Sequence, residues 1–133
     1  MKTLNFLLAI FAFALLVSTS GCDEEGCTDS KALNQDFTAD KDNGSCTYST
    51  AVFYGSIPSP FPPVTVTVNG STVGTISAYY PSGPGNCSVP GVATFQFDNG
   101  EKVDWVVTDA IGNIFSGTLE PNSFSDCLKV RVY

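Results

Sequence analysis

The chain has 133 residues, with 13 acidic side chains against six basic ones, no histidine, and a formal net charge of −7. So acidic a chain repels nucleic acid and anionic lipid, and no basic patch offsets the charge, which excludes nucleic-acid binding. The missing histidine excludes Ser-His-Asp and Cys-His catalysis and most metal-hydrolase chemistry; Walker, dinucleotide-glycine and G-x-S-x-G patterns are also missing.

Met1-Lys2-Thr3 supplies one positive charge, Leu4 to Val17 is apolar apart from Asn5, and small residues run up to Cys22. These are the parts of a secretory signal. The apolar run falls short of the about 20 residues that a spanning helix needs. Thr19-Ser20-Gly21-Cys22 resembles a lipobox, where signal peptidase II cuts ahead of a diacylated cysteine, with Thr19 where an aliphatic residue is usual. The resemblance implies a helical signal peptide over 1–21 that is removed, and lipid attachment at Cys22. The alternative is an ordinary signal peptide with Cys22 as a structural cysteine. Asp23-Glu24-Glu25 resembles the acidic signals that send some Gram-negative lipoproteins to the exterior face of the outer membrane; the periplasmic face is the alternative. Acyl chains anchor through buried CH₂ groups at about 0.8 kcal/mol each.

Removal of 1–21 leaves five basic residues (Lys31, Lys41, Lys102, Lys129, Arg131) against the thirteen acids, a net charge of −8. It also explains an odd cysteine count. With Cys22 set aside, Cys27, Cys46, Cys87 and Cys127 form an even set, read as two disulfides in an exported chain. Of the three connectivities, the sequential one, Cys27–Cys46 and Cys87–Cys127, keeps each pair within one compositional block. Tetrahedral zinc lacks both a C-x-x-C spacing and histidine.

Residues 22–50 form an acidic tether. Its apolar residues, Ala32, Leu33, Phe37, Ala39 and Tyr48, cannot build a core, so a bridge closing about 19 residues, contributing on the order of 3 kcal/mol, is what it needs. Gly26-Cys27-Thr28-Asp29, Ala32, Asn34, Ala39, Asp42, Gly44-Ser45-Cys46 and Tyr48 resemble a short cysteine repeat of secreted bacterial surface proteins. The resemblance implies a Cys27–Cys46 bridge. Asp40, Asp42, Asn43 and Gly44 have the hard-oxygen spacing of a calcium loop, but an EF-hand starting at Asp40 would put Ala51 where a bidentate Glu is required. A looser calcium site would use Asp29, Asp36, Asp40 and Asp42; turns with solvated acids are the alternative.

Residues 51–133 read as a compact all-β domain. Val64, Val66 and Val68 alternate with threonines up to Asn69-Gly70, the strongest short hairpin signal. The return strand is expected over Ser71 to Tyr80, with a bulge near Gly74. Phe95 and Phe97 lead to the turn Asp98-Asn99-Gly100; Val103, Trp105 and Val107 share one face beyond it. Phe115, Gly117 and Leu119, then Leu128, Val130 and Val132, mark two more strands. With Ala51–Ile57 in front, about seven short strands spaced by turn residues predict a small antiparallel, Greek-key-like sandwich. Ser56 to Pro63 carries four prolines and is a stiff connection rather than a strand. The Pro81–Gly91 loop holds Cys87, and a bridge to Cys127 closes about 40 residues, worth on the order of 4 kcal/mol. The strand–turn–strand run from Val64 to Ile76 and the final C-x-x-V-x-V strand (Cys127, Val130, Val132) resemble the carboxypeptidase-regulatory-like and PEGA-like modules of surface lipoproteins. That resemblance implies a binding or spacer role.

Asp104, Asp109, Glu101 and Glu120 could pair only as hydrolytic carboxylates across a cleft; acids on wet faces and in turns are the plainer reading. Phe61, Tyr79 and Tyr80 are the aromatic candidates for ligand contact, since loop aromatics grip sugars or peptides. Tyr79 and Tyr80 cannot both face inward, and Trp105 belongs to the core. The expectation is a non-catalytic lipid-anchored surface module with an unknown protein or glycan ligand and no cofactor unless calcium.

Overall fold

The computed structural model describes residues 23–59, 61–98, 100–120 and 126–133; the signal peptide expected over 1–21 and Cys22 lie outside the described residues. The described chain is all-β. Two two-residue strands, β1 (Glu25–Gly26) and β2 (Lys41–Asp42), pair in the tether. Seven more build the domain: β3 (Ser49–Tyr54), β4 (Val64–Val68), β5 (Ser71–Ile76), β6 (Ala93–Phe97), β7 (Val103–Thr108), β8 (Ile114–Leu119) and β9 (Cys127–Arg131). They form a three-stranded sheet, β6-β3-β9, and a four-stranded sheet, β5-β4-β7-β8, with a shared core of Ala51, Phe53, Val64, Val66, Val68, Ile76, Ala93, Phe97, Val103, Val107, Leu119 and Val132.

The alternation in β4 works as its sequence implies. Val64, Val66 and Val68 are fully buried while Thr65 and Thr67 stay half-buried on the other face. Asn69 and Gly70 have φ of 48° and 80°, both positive as a type I′ turn demands. The register then slips between Val66↔Gly74 and Thr67↔Thr72, leaving Val73 as the extra, bulged residue. β5 stops at Ile76 rather than reaching Tyr80. The amides of Ser77 and Ala78 donate to the Gly91 carbonyl (2.9 and 3.0 Å), which pulls the chain out of the sheet.

Strand β3 is buried on both faces. Ala51 and Phe53 point into the sandwich, whereas Val52, also fully buried, points outward beneath the loop 77–91. Cys87 of that loop is bonded to Cys127, whose register partner on β3 is Thr50. The disulfide therefore staples the loop onto the outer face of the three-stranded sheet. An uninterrupted run such as Ala51-Val52-Phe53 suits a strand covered on both sides.

The pairing of β3 with β9 is parallel, which the strand pattern does not announce. Its cause is local: β8 ends at the same end of the sandwich where β3 begins, and the short connection after it starts β9 there too. Both strands then run toward the far end.

The tether packs at that first end. Cys27–Cys46 closes it with a Cα–Cα distance of 4.9 Å, Leu33 N donates to Thr47 O, and Lys31 pairs with Asp98 at 2.7 Å. The ion pair is exposed and contributes at most about 1 kcal/mol; the disulfide dominates. Across the sandwich, β5 meets β6 at one margin, so β8 and β9 lie at the other. There the indole of Trp105 packs across its cross-strand partner Gly117, and its ring meets Phe53 edge to face at 5.8 Å.

Candidate functional site

The two ends of the sandwich differ in chemistry. The tether end gathers Asp29, Asp36, Asp40, Asp42, Asp98, Glu101, Asp104, Glu120 and Asp126, together with Asp23, Glu24 and Glu25. Among the described residues Asp109 is the one acidic side chain at the far end, where the β7–β8 hairpin turns. That far end instead exposes Ile57, Phe61, Tyr79, Ile111, Ile114 and Phe115.

Two adjoining depressions shape this apolar end. One, of about 250 Å³, is lined by Pro58, Ser59, Pro62, Ile76, Ser77, Ala78, Tyr79 and Tyr133. The other, of about 230 Å³, lies between Ile57, Phe61, Val64 and Phe115, with Asp109 and Asn113 at its rim. Ser59 and Tyr133 belong to both and form the ridge between them. Ile57, Pro58, Ser59, Phe61 and Pro62 form the shared wall, positioned by Ser56, whose amide and hydroxyl both donate to the backbone oxygen of Tyr133, and by Phe61, whose carbonyl accepts from Ala110 N. A cis peptide joins Pro62 to Pro63.

Local physics explains each side chain. Phe115 sits opposite Val107 and so faces inward, but it lies at the open margin and stays 43% exposed. Tyr133 lies flat against the backbone at Gly55, where any Cβ would strike its ring. Burial raises the Tyr133 hydroxyl above its ordinary value, only partly opposed by a hydrogen bond with Ser59. Burial likewise pushes Asp109 upward, but hydrogen bonds from the Asn113 side chain and from the amides of Asn113, Ile111 and Gly112 outweigh it, and its carboxyl lies below the usual range. Asp109 is thus occupied in holding the hairpin.

Of the sequence candidates, Phe61 and Tyr79 reach this end, one in each depression. Tyr80 does not join them. It is half-buried and its hydroxyl donates to the Pro90 carbonyl at 2.6 Å. Trp105 is partly buried against the core. Sequence reasoning missed Tyr133, Ile57 and Phe115; the inward parity of Phe115 was visible, but not the absence of a strand above it.

The acidic set in the tether is dispersed among turns. Asp29 accepts from Tyr48 OH and Lys31 N, and the Tyr48 bond is the main reason its carboxyl lies low. Asp36 accepts from the hydroxyl and amide of Thr38, and Asp42 from Gly44 N. Asp40 fastens the chain through its amide, which donates to Glu24 O. Among the described residues no group of three or more His, Cys, Asp or Glu side chains is placed to hold a metal ion, so the calcium set Asp29, Asp36, Asp40 and Asp42 does not converge. Of the hydrolytic candidates, Glu120 pairs with Lys102, Asp104 accepts from Thr118 OH and Glu101 accepts from Asp98 N, while Asp109 lies at the opposite end.

The cysteines pair sequentially, Cys27 with Cys46 and Cys87 with Cys127. Among the described residues no helix is long and apolar enough to cross a membrane. No protein-family model, curated protein or solved structure matches the chain.

Proposed function

We propose that the chain is a lipoprotein, processed ahead of Cys22 and held by acyl chains at the outer membrane with its domain facing the cell exterior. There it serves as a non-catalytic binding, adhesion or spacer module. The observation that carries this reading is the cysteine arithmetic. Cys27, Cys46, Cys87 and Cys127 are consumed in two disulfides, leaving Cys22, which directly follows an apolar run and a small-residue exit. The acidic, folded tether between Cys22 and β3 agrees with a module held away from its attachment point.

The test is Cys22→Ser. The variant is expected to move from the membrane to the soluble fraction and to lose labelling by an alkyne-tagged palmitate. Persistent membrane association would sink the anchor. Protease treatment of intact cells separates exterior from periplasmic display, and turnover of any substrate would overturn the non-catalytic reading.

A further inference from the structure

We propose that the apolar end of the sandwich docks an extended, neutral or basic peptide segment of a partner protein, and that attachment through the opposite end keeps this surface turned away from the membrane. The orientation, and with it the exclusion of the membrane and of a second copy, rests on the reading of Cys22 as the anchor; the docking surface stands on the structure of the end itself.

Six large apolar side chains, Ile57, Phe61, Tyr79, Ile111, Ile114 and Phe115, are exposed at this end, three of them (Ile57, Phe61 and Phe115) around one depression. Clustering of this kind marks an interaction surface, whereas single exposed apolar residues do not. Two depressions share the ridge of Ser59 and Tyr133. Adjacent notches with apolar walls accept successive side chains of one extended segment. Beside the depression that Phe115 lines, β8 offers backbone groups. Among the described residues β7 is its one partner, their register runs unbroken from Val103↔Leu119 to Thr108↔Ile114, and Ile114–Leu119 contains neither a charge nor a proline. Natural edge strands are usually blunted by such residues, and an edge left plain adds a peptide strand through main-chain hydrogen bonds.

Charge and geometry also argue against the other occupants. The membrane is disfavoured because residue 23, the first described residue after Cys22, lies at the opposite end, so an anchor there holds the apolar end outward. A second copy is disfavoured because copies anchored in one membrane point their apolar ends the same way and cannot bring them face to face. A glycan needs convergent hydrogen-bonding groups, yet Asp109 and Asn113 are engaged with each other and with the hairpin. No lysine or arginine lines either depression, so an anionic segment finds no partner.

The test uses the full lipidated chain held in nanodiscs, panned against a phage library of random dodecapeptides, with empty nanodiscs for subtraction. Enriched peptides are expected to share two apolar or proline residues and to carry no net negative charge. A synthetic consensus peptide should bind Phe115→Ser and Tyr79→Ser at least about tenfold more weakly, the loss of about 1.4 kcal/mol or more that marks an anchoring side chain. Phe37→Ser, at the tether end, should bind as the parent does. Ile114→Lys, a surface change on the β8 edge, gives the same reading should Phe115→Ser not fold. No consensus, affinity indifferent to all three substitutions, or binding to a glycan array in place of peptides would overturn the docking proposal. A tryptophan at position 111 (Ile111→Trp in a Trp105→Phe background) should escape quenching by brominated lipids; quenching would overturn the orientation. A failed anchor shows separately, as chain that never enters the nanodisc.

Discussion

Gly117→Ala tests the packing at the open margin of the sandwich. In a strand interior glycine is ordinarily the weaker choice, so alanine should stabilise by about 0.5–1 kcal/mol on backbone grounds. Here the added Cβ would lie 2.7 Å from Trp105 Cζ2 and 2.9 Å from Cε2. The indole must then tilt, at an overpacking cost of about 1–3 kcal/mol, and its edge-to-face contact with Phe53 goes with it, about 0.5–1.5 kcal/mol. The net expectation is a loss of about 2–3 kcal/mol, the opposite sign from propensity. Trp105 is the sole tryptophan, so urea unfolding followed by its emission reads both stability and environment. The midpoint should fall by roughly 1–2 M for an ordinary m-value, and native emission should shift to the red. In a Trp105→Leu background, followed by circular dichroism, the same substitution should cost less than about 0.5 kcal/mol. An equal cost in both backgrounds, or stabilisation by Gly117→Ala alone, would refute the idea that the indole occupies the space above Gly117.

Replacing Cys87 and Cys127 together by alanine should lower stability by about 4 kcal/mol and replacing Cys27 and Cys46 by about 3 kcal/mol, following loop length; denaturant midpoints check the order. On acidification, Asp29, Asp36, Asp109 and Glu120, all held below their ordinary values by hydrogen bonds or an ion pair, contribute stability that is present above their unfolded values near pH 4 and lost as pH falls through the lower folded ones. Tyr48→Phe removes the main cause for Asp29 and should make the acid limb of the midpoint-versus-pH curve shallower than in the parent; an identical limb would refute that assignment.

Much of the domain was legible because its signals are local. Valines alternating with threonines and an Asn-Gly pair specify β4, its turn and the start of β5 within a dozen residues, and the disulfide partners follow from block composition. What was hidden depends on distant neighbours. That β5 ends at Ile76 is decided by the Gly91 carbonyl across the loop, and the parallel register of β9 by where β8 stops. Phe61 and Tyr79 could be picked out as loop aromatics, but not that Tyr133 would divide the space between them. Nor could the spacing of the tether's aspartates tell that Asp29 would turn toward Tyr48 and Asp36 toward Thr38 instead of toward a common ion.

The parallel pairing of β3 with β9 sets the order in which this domain can come into being. The central strand of the three-stranded sheet is the first made and one of its flanks is the last. Until β9 arrives, Val52 and Phe53 have a partner on one side only, and the loop over Val52 has no Cys127 to close against. Contacts between the far ends of a chain are slow to form, so folding waits on the final strand. A truncation that trims even a few residues from β9 should therefore abolish the fold rather than shorten it.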